Sequence, residues 1–221
     1  MSIDLTERSA KSPLISEELQ SQLQTLLARV QQPVTVICLA DAGEKSSEML
    51  SFLKHFTGLC PSLSLRALSP GEDAVADRAL DAALLPATGF CRGQEFCRAV
   101  FHGVPGGKEL TGFVSALLAF TGTAKPLDKP TLKDIARIKK PAKVQICVSL
   151  GCTHCAKTVM CAQRIAQENP LITAHMIDAN LYPELVKKYQ IERVPVLLVD
   201  GEEASVGGQT MPEICTILRK R

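Results

Sequence analysis

The sequence has no tryptophan and only two tyrosines among 221 residues, which removes most of the aromatic platforms on which nucleic-acid bases stack. It has almost no excess of charge: 25 Lys and Arg against 23 Asp and Glu leave a formal net charge of +2, too weak a field to collect nucleic acid or an anionic membrane. Long apolar runs are missing as well. The longest nearly unbroken one, Phe113 to Phe120, falls far short of the ~18–20 residues a spanning helix requires. The opening stretch MSIDLTERSAKS carries Asp4, Glu7 and Arg8 where a secretory signal would have its apolar core, and no small-residue cleavage site follows. A soluble, cytoplasmic protein is therefore expected. The remaining composition, 46% apolar, 22% charged, 14 Gly and 13 Pro, is that of an ordinary folded chain. The length is generous for one domain and comfortable for two. Nine cysteines, at 38, 60, 91, 97, 147, 152, 155, 161 and 215, are an odd, scattered set unlike a secreted disulfide framework, so mostly reduced thiols are expected.

Ser16 before Glu17 and Glu18 is a helix start, because a serine caps free N–H groups and acids suit the positive end of the helix dipole. Leu19, Leu23, Leu26, Leu27 and Val30 follow at helical spacing until Pro33, which predicts one buried face. Val34 to Leu39 reads as a buried strand, polar DAGEKSS as a loop, and Ser47 to Phe56 as a helix. Ser62 to Leu68 is a second strand, the stretch around Ala83 to Phe90 a third interrupted by Pro86, and Arg98 to His102 a fourth; GVPGGK then leads into a helix from Glu109 to Phe120. TGTAKPLDKPT, residues 121–131, has little to bury and marks a connection. The expected division is an N-terminal unit over 1–122, a linker and connecting helix over 123–142, and a C-terminal unit over 143–221. In the last, Val144 to Val148, Leu171 to Ile177, Val194 to Val199 and Ala204 to Val206 read as strands, with a turn at Asp200-Gly201. Helices are expected over Cys155 to Gln167, with Val159, Ala162, Ile165 and Ala166 on one side, over Pro183 to Tyr189 and over Met211 to Leu218.

The two halves repeat one order of elements. Val36-Ile37-Cys38 lies over Gln145-Ile146-Cys147 at the same spacing, 109 residues, that separates Pro86 from Pro195. Two landmarks in one register suggest a duplication, and in that register Cys152 and Cys155 fall on Gly43 and Ser46. The first copy has no such pair.

Cys152-Thr153-His154-Cys155 sits between a strand and a helix start. In a first helical turn, residues three apart have Cβ atoms ~5–6 Å apart, close to the geometry in which a disulfide closes without large backbone movement. Free N–H groups and the dipole at that end favour a thiolate, lowering a cysteine from ~8.5 toward neutrality. Cys152 is thus the expected nucleophile and Cys155 the resolving thiol. A zinc site is the competing reading, since C-x-x-C also opens zinc ribbons and His154 and Cys161 are near; no second ligand pair follows, and no metal set is expected. Cys161 is six residues, ~9 Å of helical rise, past Cys155 and reads as a half-buried thiol. Cys38 and Cys147 read as core residues; Cys60, Cys91, Cys97 and Cys215 read as possible exposed thiols, with a Cys91–Cys97 disulfide as one option. Val194-Pro195 opens a strand, where proline costs a ladder hydrogen bond and a cis bond is accessible.

The dithiol together with IDANLYPELVKKYQIERVPVLLVDGE, over roughly residues 143–219, resembles the thioredoxin fold. That likeness implies a redox pair at Cys152 and Cys155 with a cis Pro195 against it. The whole chain is similar to the N-terminal region of the flavoprotein subunit of alkyl hydroperoxide reductase, most clearly at VFHGVPGGKELTGFVSALLAFTG, residues 100–122, and QICVSLGCTHCAKTVMCAQRIAQENP, residues 145–170. This resemblance implies an α/β chain of two tandem thioredoxin-like folds, each a central mixed sheet flanked by helices, with the dithiol only in the second. It also places an acid near the dithiol at Glu109, which alone would be an ordinary helix-start acid. The implied activity is thiol–disulfide exchange carrying two electrons from a flavoprotein reductase to a disulfide acceptor such as a peroxiredoxin, in peroxide detoxification and redox homeostasis. Cys152 would attack, Cys155 resolve, Val194 and Pro195 shape the groove for the substrate backbone, and Glu109 tune proton transfer.

Two departures qualify the likeness. The family continues into FAD- and NADH-binding modules, whereas this sequence has no G-x-G-x-x-G fingerprint, so FAD and NADH are expected on a partner chain and no cofactor on this one. The dithiol encloses Thr153-His154 rather than the family's usual His-Asn, and a histidine there favours the thiolate and a more oxidising couple. Archaeal-type protein disulfide oxidoreductases usually keep a dithiol in each unit, against which Gly43 and Ser46 argue. The alternatives are a protein disulfide oxidase or isomerase and a non-catalytic docking module; a monomer or a homodimer fits either.

Overall fold

The β-branched run Val34–Leu39 forms strand β1, the centre of the first of two units. In the computed structural model, residues 12–221 are described; Asp4, Glu7 and Arg8 lie outside them. β1 pairs in parallel with β2 (Leu63–Leu68), Val36 opposite Leu65, and antiparallel with β3 (Ala87–Arg92), Val36 opposite Phe90. Helix α1 (Glu17–Leu27) starts where Ser16 Oγ accepts the Leu19 N–H at 3.2 Å. Leu23, Leu27 and Val30 are buried, but Leu26, expected among them, is 41% exposed. Between β1 and β2 runs α2 (Glu44–Gly58), which begins at Glu44 rather than Ser47 and buries Met49, Phe52, Leu53 and Phe56 completely.

A helix absent from the sequence reading, α3 (Ala74–Leu80), precedes β3. Asp73 Oδ1 accepts the N–H groups of Val75 and Ala76, and Asp81 closes the helix at φ +58°. Seven residues are too few for periodicity to declare them, so the cap is the signal that was there to read. The third strand consequently starts at Ala87, after the cis Leu85–Pro86 bond, and not at Ala83. A short β4 (Glu95–Phe96) pairs with β3.

In the second unit, β6 (Ala142–Val148) lies parallel to β7 (Ile172–Asp178) and antiparallel to β8 (Val196–Val199), which carries β9 (Glu202–Val206) on its far side. Residues 99–101 of β5 (Ala99–His102) extend the sheet beyond β7. Around this mixed sheet are α4 (Leu110–Phe120), α5 (Lys129–Ile135), α6 (Thr153–Glu168), the short α7 (Pro183–Lys188) and α8 (Met211–Arg219). Among the described residues, the contacts gather those up to Phe96, with 102–104, into one unit and 97–101 with 105–221 into the other. Helix α4, assigned by sequence to the N-terminal unit, thus packs within the second. Its segment LTGFVSALLAF is apolar on nearly every side; Phe113 meets Phe101 edge-on at 5.0 Å, and Gly112 lets it approach Val159 of α6.

The repeat is visible element by element: β1, α2, β2 and β3 correspond to β6, α6, β7 and β8 in the register that relates Pro86 to Pro195. Both prolines follow cis bonds. No helix among the described residues is long and apolar enough to cross a membrane.

Candidate active site

Cys152 is the N-cap residue of α6, in extended backbone, and its Sγ accepts the Cys155 N–H at 3.2 Å. A sulfur in this place occupies the position a serine or aspartate oxygen takes at other helix starts, facing free N–H groups and the positive end of a 16-residue dipole. Its backbone N–H donates to the Ser149 carbonyl at 2.9 Å, closing the turn that leads out of β6. Cys152 and Cys155 are joined by a disulfide, with Cα atoms 5.3 Å apart. Cys152 is half-buried and Cys155 fully buried, so only the first sulfur is open to a partner. In the first unit, Gly43 caps α2 at the corresponding place and buried Ser46 donates to Asp41 Oδ1 at 2.6 Å. The local scaffold is kept there without the sulfurs.

The Val194–Pro195 bond is cis, and the Val194 carbonyl oxygen lies 4.0 Å from Cys152 Sγ. Pro195 stands immediately before β8, where its missing N–H costs the ladder nothing, and its carbonyl accepts the Gly207 N–H at 2.8 Å. Thr153 and His154 occupy the first turn of α6 and are exposed, with His154 leaning toward Gly208.

Glu109 is fully buried at the end of a 3₁₀ turn, Gly107–Glu109, and neither carboxylate oxygen has a hydrogen-bond partner. Burial, reinforced by the nearby charge of Asp178, pushes its carboxyl up to about 7. Asp178, at the end of β7 and itself buried, is the site residue that sequence reasoning missed; it accepts the Asn180 N–H at 3.1 Å. An acid closing an apolar strand was the available signal. The turn is tied to the dithiol loop, because the Lys108 N–H donates to the Leu150 carbonyl at 3.1 Å. Gly107 has φ +55°, and a Cβ on it would stand 2.9 Å from that same carbonyl oxygen. Gly107→Ala is therefore expected to cost about 1–3 kcal/mol through strain and the displaced loop, read as a lower urea midpoint; an unchanged midpoint would show that the approach is not tight.

The other thiols correct the sequence reading. Cys60, Cys91, Cys97 and Cys215 are all buried rather than exposed, and Cys91 and Cys97 are free thiols, not a disulfide. Cys91 donates to the Gly93 carbonyl and Cys97 Sγ accepts from Gln167 Nε2 at 2.8 Å, so each has a local partner. Burial pushes Cys215 up to about 11 and the core thiols Cys38 and Cys147 up to about 12, which keeps them protonated and unreactive. Cys161 is half-buried, as expected.

Residues 142–218 match the thioredoxin domain family. The alkyl hydroperoxide reductase protein AhpF of Pseudomonas aeruginosa is 28% identical over 201 residues, which are 91% of this chain and 36% of that protein. The crystal structure of the NTD_N/C domain of AhpF from Enterococcus faecalis superposes with a TM-score of 0.83 at 32% identity, over 92% of this chain and 99% of that one. This chain belongs to the AhpF family of alkyl hydroperoxide reductases. It spans little more than a third of the length of the Pseudomonas relative. A protein disulfide oxidoreductase from Aeropyrum pernix shares the fold, with a TM-score of 0.80 at 20% identity over 93% of this chain and 92% of that one. Within the AhpF family, the dithiol at the head of α6 makes this chain a thiol–disulfide oxidoreductase.

Proposed function

We propose that the chain relays two electrons by dithiol–disulfide exchange, from a flavoprotein reductase to a disulfide acceptor of the peroxiredoxin kind. The observation that carries this reading is the asymmetry of the pair, an accessible Cys152 sulfur capping α6 with a wholly buried Cys155 behind it. The reduced Cys152 thiolate attacks one sulfur of the acceptor disulfide; that bond breaks and the departing sulfur takes a proton. Cys155 then loses its proton, for which Glu109 is the acceptor, and attacks the Cys152 sulfur. The second acceptor thiol leaves, and the Cys152–Cys155 disulfide forms. The first departing sulfur takes its proton from solvent and the second takes the one held by Glu109, so two electrons and two protons have passed to the acceptor. A donor dithiol reverses the sequence.

Val194 and Pro195 hold the partner's backbone beside Cys152, and His154 and Thr153 set how strongly the couple oxidises. FAD and NADH are placed on the donor, which would supply the two electrons that reach Cys152 and Cys155 by exchange with a donor dithiol. The first unit is the duplicated copy that keeps the fold without the chemistry, and the setting is the cytoplasm.

A redox titration in graded thiol buffers, with alkylation mapping of all nine cysteines, tests the reading. Cys152 and Cys155 are expected to convert together as one two-electron couple between roughly −200 and −300 mV. Conversion of another pair, or none, would overturn it, and a potential well above about −200 mV would replace the relay with a protein disulfide oxidase.

A further inference from the structure

Between the corner after β7 and the segment entering β8 lies a groove of about 480 Å³ that ends at Val194. Its apolar lining is Val186, Ile191 and Val194, all half-buried, with exposed Pro183. Its rim carries Lys187, Arg193 and Glu192, all exposed. Among the described residues Lys187 and Arg193 form no ion pair, whereas Arg66, Arg92, Arg164 and Arg219 each have a carboxylate. The neighbouring Lys188 instead places its ammonium 4.8 Å over the Tyr189 ring. Two cations without an ion pair and one acid thus share the lining with these apolar side chains.

Val194 belongs both to this groove and to the dithiol, since its carbonyl lies 4.0 Å from Cys152 Sγ. A polypeptide whose cysteine is bonded to Cys152 and whose chain runs extended advances about 3.3 Å per residue, so positions two to four from that cysteine lie over the apolar lining and beside the rim. A basic segment there would oppose Lys187 and Arg193. An apolar side chain followed by a carboxylate would fill the groove and meet a guanidinium whose paired N–H donors match a carboxylate's two oxygens.

The geometry points to a groove that selects acceptors whose reactive cysteine is flanked by an extended acidic segment. This inference names the partner chemistry of the proposed exchange and rests on that reading. Its test uses the full chain, pre-reduced, and two cystine peptides identical except that positions two to four from one cysteine read Leu-Asp-Glu or Leu-Lys-Lys, with the neutral hydroxyethyl disulfide as reference. Second-order rate constants are read by stopped-flow at low salt. The acidic peptide is expected to react roughly tenfold faster than the basic one, a difference that shrinks in high salt. The double variant K187E/R193E is expected to invert the ratio; because both peptides are read on one preparation, the ratio does not depend on how much of the variant folds. Equal rates for the two peptides, with hydroxyethyl disulfide still reduced, would overturn the groove and leave the exchange reading standing. Failure to reduce any of the three would overturn the exchange reading itself.

Discussion

Replacing Cys152 by serine is expected to abolish disulfide reduction, by about a thousandfold or more, because a serine hydroxyl at that cap is not ionised at neutral pH and forms no bond to sulfur that can be exchanged. The N-cap is preserved by the substitution, since serine is a favoured capping residue, so the loss reads chemistry rather than folding. Cys155→Ser separates the two steps. Cys152 still attacks, but with no resolving thiol the product is a stable mixed disulfide whose mass is that of the chain plus one half of the acceptor. Retention of turnover in the Cys152 variant would remove the mechanism. An equally active Cys155 variant would remove the resolving step alone.

The second large effect concerns Glu109. Its carboxyl is held at about 7 against an ordinary 4.5, by burial first and by Asp178 second. A carboxyl raised on folding keeps its proton in the native state while the unfolded chain gives it up. Its contribution is therefore full below about pH 4.5 and is lost as pH rises through about 7. Over that window the loss is about 3 kcal/mol, at roughly 1.4 kcal/mol for each pH unit separating the two values. In Glu109→Gln this part of the pH dependence should vanish, so urea-unfolding free energies between about pH 5 and pH 8 should run flatter than those of the unaltered chain. Parallel curves would show that Glu109 is not the group responsible. The same variant lacks the proton acceptor assigned to the resolving step, and in the pre-steady state the second exchange should slow while the first does not.

Much of this was legible in the sequence, for reasons that can be named. The apolar runs at Val34–Leu39 and Val144–Val148 and the helical spacing around Val159 and Ala162 are local patterns, and the structure has β1, β6 and α6 there. The strand-to-helix position of Cys152 and the X-Pro step at Pro195 are local too, as is the register that relates Pro86 to Pro195. Short elements were harder to read. α3 has two turns and no periodicity to display, and the connecting helix α5 declares itself mainly through the Asp128 cap, whose Oδ1 accepts the Thr131 N–H at 2.8 Å.

The chemistry available was written locally in the sequence: one dithiol at one helix start and a second copy of the scaffold without it. Which groups share a neighbourhood was settled by the packing of the elements. The Val194 carbonyl meets Cys152 across 42 residues, Glu109 lies in the same unit as Asp178 with its oxygens unpartnered, and four cysteines that the sequence left open to solvent are buried. Burial and the fields between charges are set by which elements stack on one another, and local periodicity carries no record of that.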